Sequence, residues 1–337
     1  MNRNRKFMNL QIFDDTSINR TDADALIPVQ ETREIIQGVV EQSAVLQRGR
    51  RLANMTARQS KMRVLDLLPV AYFVNGEAGR KQLTKMAWDK KIIYAEEIAV
   101  IIPISEEVLD DADYDIWGEA RPRLIEAFGA KIDGAVLFDV DKPSTWRDGI
   151  VTTATAAGAV VTSGTVGTQH DLYDDIMAEN GLISLVEKSG YDPNGYLADI
   201  TERAKLRGLR NTQGDPIFKT DMQSGTRYSL DGSPIFFPKN GAFDSSKARM
   251  IAGDFSQLVY SIRQDITFKV FTEGVVQDPS TGEILYNLMQ NDMVALRAVM
   301  RLGWEIPNPI NALQPNKSTR CPFSILVDSD GEDDGNG

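Results

Sequence analysis

Residues 102–139 read IPISEEVLDDADYDIWGEARPRLIEAFGAKIDGAVLFD, and their period decides the fold. Ser105 suits an N-cap, and Glu106 and Glu107 fall where the positive end of a helix dipole favours acids. Leu109, Ala112, Ile116, Ala120, Leu124, Phe128, Ile132 and Val136 recur at mostly four-residue spacing, which predicts one long helix over about 105–139. Pro122 is expected to kink or divide it. At about 1.5 Å per residue such a helix spans about 50 Å.

Upstream, Val64–Val74 and the Ile- and Val-rich Ile92–Ile104 read as two strands, with Asn75-Gly76 as a turn that tolerates positive φ. The segment 77–91 carries Arg80, Lys81, Lys85, Lys90 and Lys91 against Glu77 and Asp89, a balance of +3. Residues 105–126 hold eight acids and two arginines, a balance of −6, with Asp110, Asp111, Asp113, Asp115 and Glu119 in a run. A hairpin over 65–104 would have arms of about 50 Å at about 3.3 Å per residue. A compact chain of this length has a radius of gyration of only about 20 Å. A bare ribbon beyond such a body is marginal in water, so a neighbouring subunit is expected to cover it.

The first 25 residues are polar and aperiodic and read as an extended arm. Ile35, Ile36, Val39, Val40 and Leu46 predict a helix over roughly Glu31 to Gln47. Residues 148–168 (DGIVTTATAAGAVVTSGTVGT) read as a connection with weak strands. A helix from about Asp171 to Lys188, the turn cluster 190–195, a helix near Asp199 to Arg207 and strands at Ile235–Phe237 and Ala248–Ile251 suggest an inserted α/β domain over 145–255. Leu258–Phe271 reads as one or two strands. Val294, Leu296, Ala298, Met300, Leu302, Trp304 and Ile306 alternate with Arg297, Arg301 and Glu305, which predicts a long strand with one apolar and one mostly polar face. The tail 326–337 is acidic and Gly-rich, and is expected to be disordered.

Composition narrows the function. The chain has 337 residues, 42% hydrophobic and 25% charged, enough for about two domains. A net charge of −11 disfavours a protein that grips nucleic acid over a large surface. With one cysteine, Cys321, and one histidine, His170, the chain forms no internal disulfide and lacks the ligands of a His/Cys zinc site. Cys321 reads as a small buried residue and His170 as a surface or capping one. The acidic run at 110–119 lacks the glycine turn of a calcium loop, and the glycines at 158, 164 and 167 precede no phosphate-loop Lys-Ser/Thr pair. No cofactor, metal or membrane span is expected. Met1–Phe13 is basic, but no apolar signal core follows it.

Three further stretches carry a resemblance: FVNGEAGRKQLTKMAW (73–88), GDFSQLVYSIRQDITFKV (253–270) and NDMVALRAVMRLGWEIPNP (291–309), together with 95–139. In this order the chain resembles tailed-phage major capsid proteins of the Hong Kong 97-like fold, over about 25–315. The resemblance implies an α+β fold with an N-terminal arm and first helix (1–48). It implies a peripheral domain whose first part, 49–144, holds an extended loop (63–98) and a spine helix (105–139). An axial domain would cover 145–255, with the second peripheral part at 256–325. It implies a structural protein rather than an enzyme, assembling as pentamers and hexamers into an icosahedral head around double-stranded DNA, without sequence-specific binding. The implied partners are copies of the chain, a separate scaffolding protein, a portal and decoration proteins, and the implied place is the virion capsid, assembled in the cytoplasm of the host bacterium. Some members crosslink a loop lysine to a neighbour's asparagine. Lys81 and Lys85 lie in that segment, but no partner asparagine is identified, and crosslinking is not carried over. The basic loop residues Arg80, Lys81, Lys85, Lys90 and Lys91 are expected to meet the acids Asp110, Asp111, Asp113, Asp115 and Glu119 of a neighbour, setting register more than strength.

Two rivals share parts of this reading. An encapsulin-like bacterial shell has the same fold but encloses cargo protein. A hydrolase built on a pair among Glu107, Asp110 and Asp111 would need a pocket that holds two carboxylates.

Overall fold

The computed structural model describes residues 43–74, 80–81, 83–111, 116–167, 171–210, 229–278 and 280–329, apart from the side chains of Asp111 and Glu119. The expected N-terminal arm, the Asn75-Gly76 turn, His170 and most of the acidic tail lie outside these residues. The elements are α1 (Ala44–Arg48), β1 (Arg50–Arg51), β2 (Gln59–Leu67), β3 (Ala87–Tyr94), β4 (Glu96–Ser105), α2 (Glu106–Asp111), α3 (Ile116–Phe138) and α4 (Ile150–Ala157). Then follow β5 (Val160–Thr162), α5 (Leu172–Met177), α6 (Leu182–Lys188), β6 (Gly195–Ala198), α7 (Glu202–Gly208), β7 (Ser229–Leu230), β8 (Ser233–Phe236) and β9 (Met250–Gly253). A 3-10 turn at Phe255–Gln257 leads into β10 (Val259–Phe271), β11 (Val275–Gln277), β12 (Ile284–Asn287), β13 (Met293–Glu305) and β14 (Phe323–Val327).

The chain divides into two compact units. One gathers Glu97–Ile125 and Gln264–Arg301; the other gathers the described residues of Gly38–Glu96, Glu126–Arg263 and Leu302–Gly337. These limits differ from the 144 and 255 expected from the sequence.

In the first unit the N–H of Glu106 donates to the carbonyl of Asp292 (2.9 Å), where β4 passes into α2. Arg301 forks onto the Glu97 carboxylate, and Arg297 lies 4.9 Å over the Phe271 ring. The hairpin β11–β12 packs a small core of Leu288, Met293 and Ala295 with Phe271, Val276 and Tyr286. The polar face expected for β13 is therefore absent: apart from Arg297 and Arg301, all its residues are buried, the odd-numbered Ala295, Val299, Gly303 and Glu305 included. The reason is position, since β13 lies inside a four-stranded sheet ordered β1-β10-β13-β4.

Of the helix expected over 105–139, the described residues show α2 and the 23-residue α3; residues 112–115 between them lie outside the described residues. Pro122 does not divide α3; it removes one hydrogen bond in the second turn, to the carbonyl of Gly118, and the helix runs on. From Ile132 to Phe138 every residue is buried, so this end is not a stripe but a rod packed on all sides. Asp139 ends it with φ 61° and turns its carboxylate onto the N-terminus of α4, accepting from Gly149 N (2.7 Å) and Thr152 Oγ1.

The second unit is built on a six-stranded sheet ordered β5-β14-β9-β6-β8-β7. β14 pairs parallel with β5 and antiparallel with β9, and β6 pairs antiparallel with β9 and parallel with β8. Residues 323–325, grouped by sequence with the late strands, and Leu326 and Val327, assigned to the disordered tail, thus form one inner strand of this sheet. Its core joins Val161, Ile176, Leu182, Tyr196, Leu206, Met250 and Leu326. Asp231-Gly232, both at positive φ, closes β7–β8 as a two-residue hairpin. Two helical expectations change. Residues 150–157 are helical despite their β-branched content, because Ile150, Val151 and Ala154 bury one face and Gly158 (φ 74°) caps the end. The span 171–188 breaks into α5 and α6, with Asn180 at φ 67° and Gly181 as the N-cap between them.

Two buried polar centres tie this unit together. Glu202, almost wholly buried, takes two hydrogen bonds from Arg249 (2.9 and 2.8 Å), whose other arm reaches Ser163 and Asp328. Asp133, in the packed end of α3, accepts from Ser43 Oγ (2.6 Å), Ala44 N (2.9 Å), Val45 N (3.0 Å) and Asn240 Nδ2 (2.6 Å). Burial pushes its carboxyl up, and these donors oppose that shift. Ser43 is extended and caps α1, so the helix expected over Glu31–Gln47 is not continuous through Ser43.

Removing the Asp133 acceptor leaves buried donors unpaired. Asp133→Ala is expected to lower stability by about 3 kcal/mol, read as the shift in a denaturant midpoint. Cys321 is fully buried and its thiol is pushed up to about 11 by desolvation. Alkylation of the native chain at pH 8 is therefore expected to run about 100-fold slower than that of the denatured chain, followed by mass spectrometry.

Candidate assembly surface

β2 and β3 form an antiparallel ribbon with Gln59 opposite Tyr94 and Leu67 opposite Ala87. The expected arms at 64–74 and 92–104 are therefore displaced: the ribbon starts at Gln59, ends at Leu67, and returns only as far as Tyr94. After Ala95 the chain enters β4, a strand of the four-stranded sheet. Ala95 is buried and donates to Arg58 O, and Met55, Ile93 and Val259 join it in a small core.

One end of the ribbon is clamped. Gly303 lies so close that a Cβ there would come 2.3 Å from Tyr94 O, so glycine is required by the approach of the two backbones. Trp146 Nε1 donates to the same Tyr94 carbonyl (3.0 Å) and packs edge-on against Trp304. Arg147 bonds Glu305 (2.8 Å) and the carbonyl of Ile306 (3.0 Å). Further out, Ile310 N donates to Leu65 O, and Lys317 pairs with Asp89, holding that carboxyl below its ordinary range.

Beyond Leu67 the support stops. The described residues of 68–86 form no helix or strand, although Val70 N donates to Thr84 Oγ1 across them (2.9 Å). Phe73 and Leu83 are fully exposed, Trp88 is 62% exposed, and Val70, Tyr72, Val74 and Met86 are all open to solvent. Aromatic and aliphatic side chains left exposed together on one segment are of the kind that marks an interaction surface. Arg80, Lys81 and Lys85 stand among them, exposed, and Lys90 is exposed on β3. Lys91 differs: it is half-buried 4.0 Å from Glu305, and burial lowers its pKa against that carboxylate's pull.

Of the acidic residues singled out in the sequence, Asp110 is exposed on α2. Asp111 is the last described residue of that helix and Glu119 lies in α3, while Asp113 and Asp115 fall outside the described residues. Glu107, named for a carboxylate pair, is exposed beside Asp110 on α2. Among the described residues no three His, Cys, Asp or Glu side chains converge as a metal site, and no helix is long and apolar enough to cross a membrane. The sequence reading missed the clamp. Its one available signal was Gly303, a lone glycine in a strand of strict alternation.

Comparison with known proteins agrees with this arrangement. The major capsid protein of Staphylococcus phage 80alpha is 26% identical over 287 residues, 84% of this chain and 82% of that protein. A solved chain from Microbacterium phage Oxtober96 is 33% identical with a TM-score of 0.74, covering 86% of this chain and 91% of its own. One from Mycobacterium phage Bobi is 32% identical at a TM-score of 0.73, covering 86% and 91%. The pattern of the phage capsid family runs through residues 23–317, taking in the ribbon, α3, β10 and β13, and the chain belongs to that family.

Proposed function

We propose that this chain is the major capsid protein of a tailed phage, whose copies assemble as pentamers and hexamers into an icosahedral head enclosing double-stranded DNA. The observation that carries this reading is the ribbon, fixed at one end and presenting Phe73, Leu83 and Trp88 to solvent at the other. Apolar area of this kind is stabilising only when buried, and a second copy supplies the cover. In the Hong Kong 97-like scheme residues 59–94 serve as the extended loop, α3 as the spine, and the six-stranded sheet as the axial domain. The four-stranded sheet is then peripheral.

The exposed Arg80, Lys81, Lys85 and Lys90 would face the acidic stretch Asp110, Asp111, Asp113, Asp115 and Glu119 of a neighbour. Lys91 is occupied by Glu305 at home. Such pairs set register and contribute little strength. A net charge of −11 leaves the enclosed DNA weakly held, which suits packing and release. A separate scaffolding protein, a portal and decoration proteins complete the particle, which forms in the host cytoplasm. The phage origin of the relatives favours this over an encapsulin-like shell.

Electron microscopy of the chain expressed with its candidate scaffold is expected to show closed particles. Phe73→Ser with Leu83→Ser is expected to leave soluble copies that melt as wild type but form at least about tenfold fewer particles. Equal particle yield from that variant, or a wild-type chain that stays monomeric with the scaffold, refutes the reading.

A further inference from the structure

The two faces of the ribbon differ in what covers them. Ser60, Met62 and Val64 of β2 share one face with Asp89, Lys91 and Ile93 of β3. That face is occupied at home. Met62 and Ile93 join the small core with Met55 and Val259, Lys91 stands 4.0 Å from Glu305, and Asp89 pairs with Lys317. The opposite face carries Lys61 and Arg63 of β2 with Trp88 and Lys90 of β3, all four exposed.

This outward face repels itself. Arg63 stands directly opposite Lys90, and Lys61 lies on the diagonal from it. Like charges so placed destabilise a strand pair, and a two-stranded ribbon has little stability to spare. Among the described residues the ion pairs of the ribbon are those of Lys91, Asp66 and Asp89, and none involves Lys61, Arg63 or Lys90. The local sequence supplies no acid either. Residues 43–65 hold Arg48, Arg50, Arg51, Arg58, Lys61 and Arg63 without one Asp or Glu, in a chain of net charge −11. A cover of opposite sign has to come from elsewhere, and other copies of an acidic chain are rich in it.

The first unit carries a surface that matches. Glu107 and Asp110 are exposed on α2, three residues apart and so on one side of the helix, and neither is ion-paired among the described residues. Residues three apart on a helix have Cβ atoms about 5–6 Å apart, and directly opposed residues of a strand pair about 5 Å. One carboxylate therefore reaches Arg63 while the other reaches Lys90, with Lys61 beside them. Trp88 adds an apolar shoulder that the same helix covers.

We propose that the outward face of the ribbon, through Lys61, Arg63 and Lys90, docks on Glu107 and Asp110 of a second copy. The proposal deepens the assembly reading and rests on it, since copies must meet for the contact to form. It puts the charged contact on the stem, where paired strands fix the spacing of the side chains, and brings in Lys61, Arg63 and Glu107, which lie outside the charged runs at 80–91 and 110–119.

Particle counts by electron microscopy, with full-length chain and its candidate scaffold, test it beside melting temperatures of the unassembled copies. Arg63→Gln with Lys90→Gln removes the repulsion and the contact together. This variant is expected to melt no lower than wild type and still to form at least about threefold fewer particles. Arg63→Glu with Lys90→Glu is expected to lower the count at least about tenfold, as is Glu107→Lys with Asp110→Lys, and the chain carrying all four changes is expected to recover wild-type yield. Wild-type yield from the Gln variant, or a lower melting temperature for it, overturns the proposal, as does a fourfold variant that melts as wild type without recovering. In each of these cases the wild type forms particles and the assembly reading stands. A wild type that forms none overturns both.

Discussion

A two-stranded ribbon has two edges and two faces, and water competes for all of them. Here the close approach of Gly303 to Tyr94, the Trp146 indole and the Arg147–Glu305 pair hold one end of that ribbon to its own unit. Nothing comparable among the described residues covers Phe73 or Leu83. The structure therefore separates two tasks along one hairpin. The stem is held by contacts within the chain, and beyond it Phe73 and Leu83 stay exposed. A tip buried at home would be stable and idle, and a stem without its clamp would not hold the tip in any direction.

The same economy governs the buried polar groups. Asp133 sits in a fully packed turn of α3, where a carboxylate is costly, yet it meets four donors from two distant parts of the chain. It fixes Ser43 and the first turn of α1. Arg249 plays a similar part for the six-stranded sheet, joining α7, the turn after β5 and the end of β14 through Glu202, Ser163 and Asp328. Each is a point of specificity more than of net stabilisation, because each organises segments that hydrophobic packing alone would leave interchangeable.

Much of the fold was legible in the sequence, and the misses share a cause. The period of α3 and the alternation of β13 are long signals, and both elements are where that pattern puts them. The mostly polar face of β13 was misjudged because alternation reports side-chain direction, while burial depends on neighbouring strands that local sequence does not name. Residues 150–157 were misjudged because Thr and Val favour strands only when nothing else buries their apolar neighbours. In the candidate surface the basic segment was visible as charge and a bare ribbon in need of cover was expected, but Phe73 was assigned to a strand and Leu83 was not singled out. Asp133 stood in plain view between Ile132 and Val136, an acid at a position that the helical period marks as covered, and only its partners at Ser43 and Asn240 explain it.

The strand order of the second unit has a consequence for biosynthesis. β14 comes last among the described strands, yet it lies between β5 and β9. Until the ribosome has delivered Val327, two strand edges face each other across an empty slot, and the unit has no way to close. At about 5–20 residues per second, making the stretch from Gly253 to Val327 takes on the order of ten seconds. A prematurely terminated polypeptide would lack the strand that zips this sheet shut.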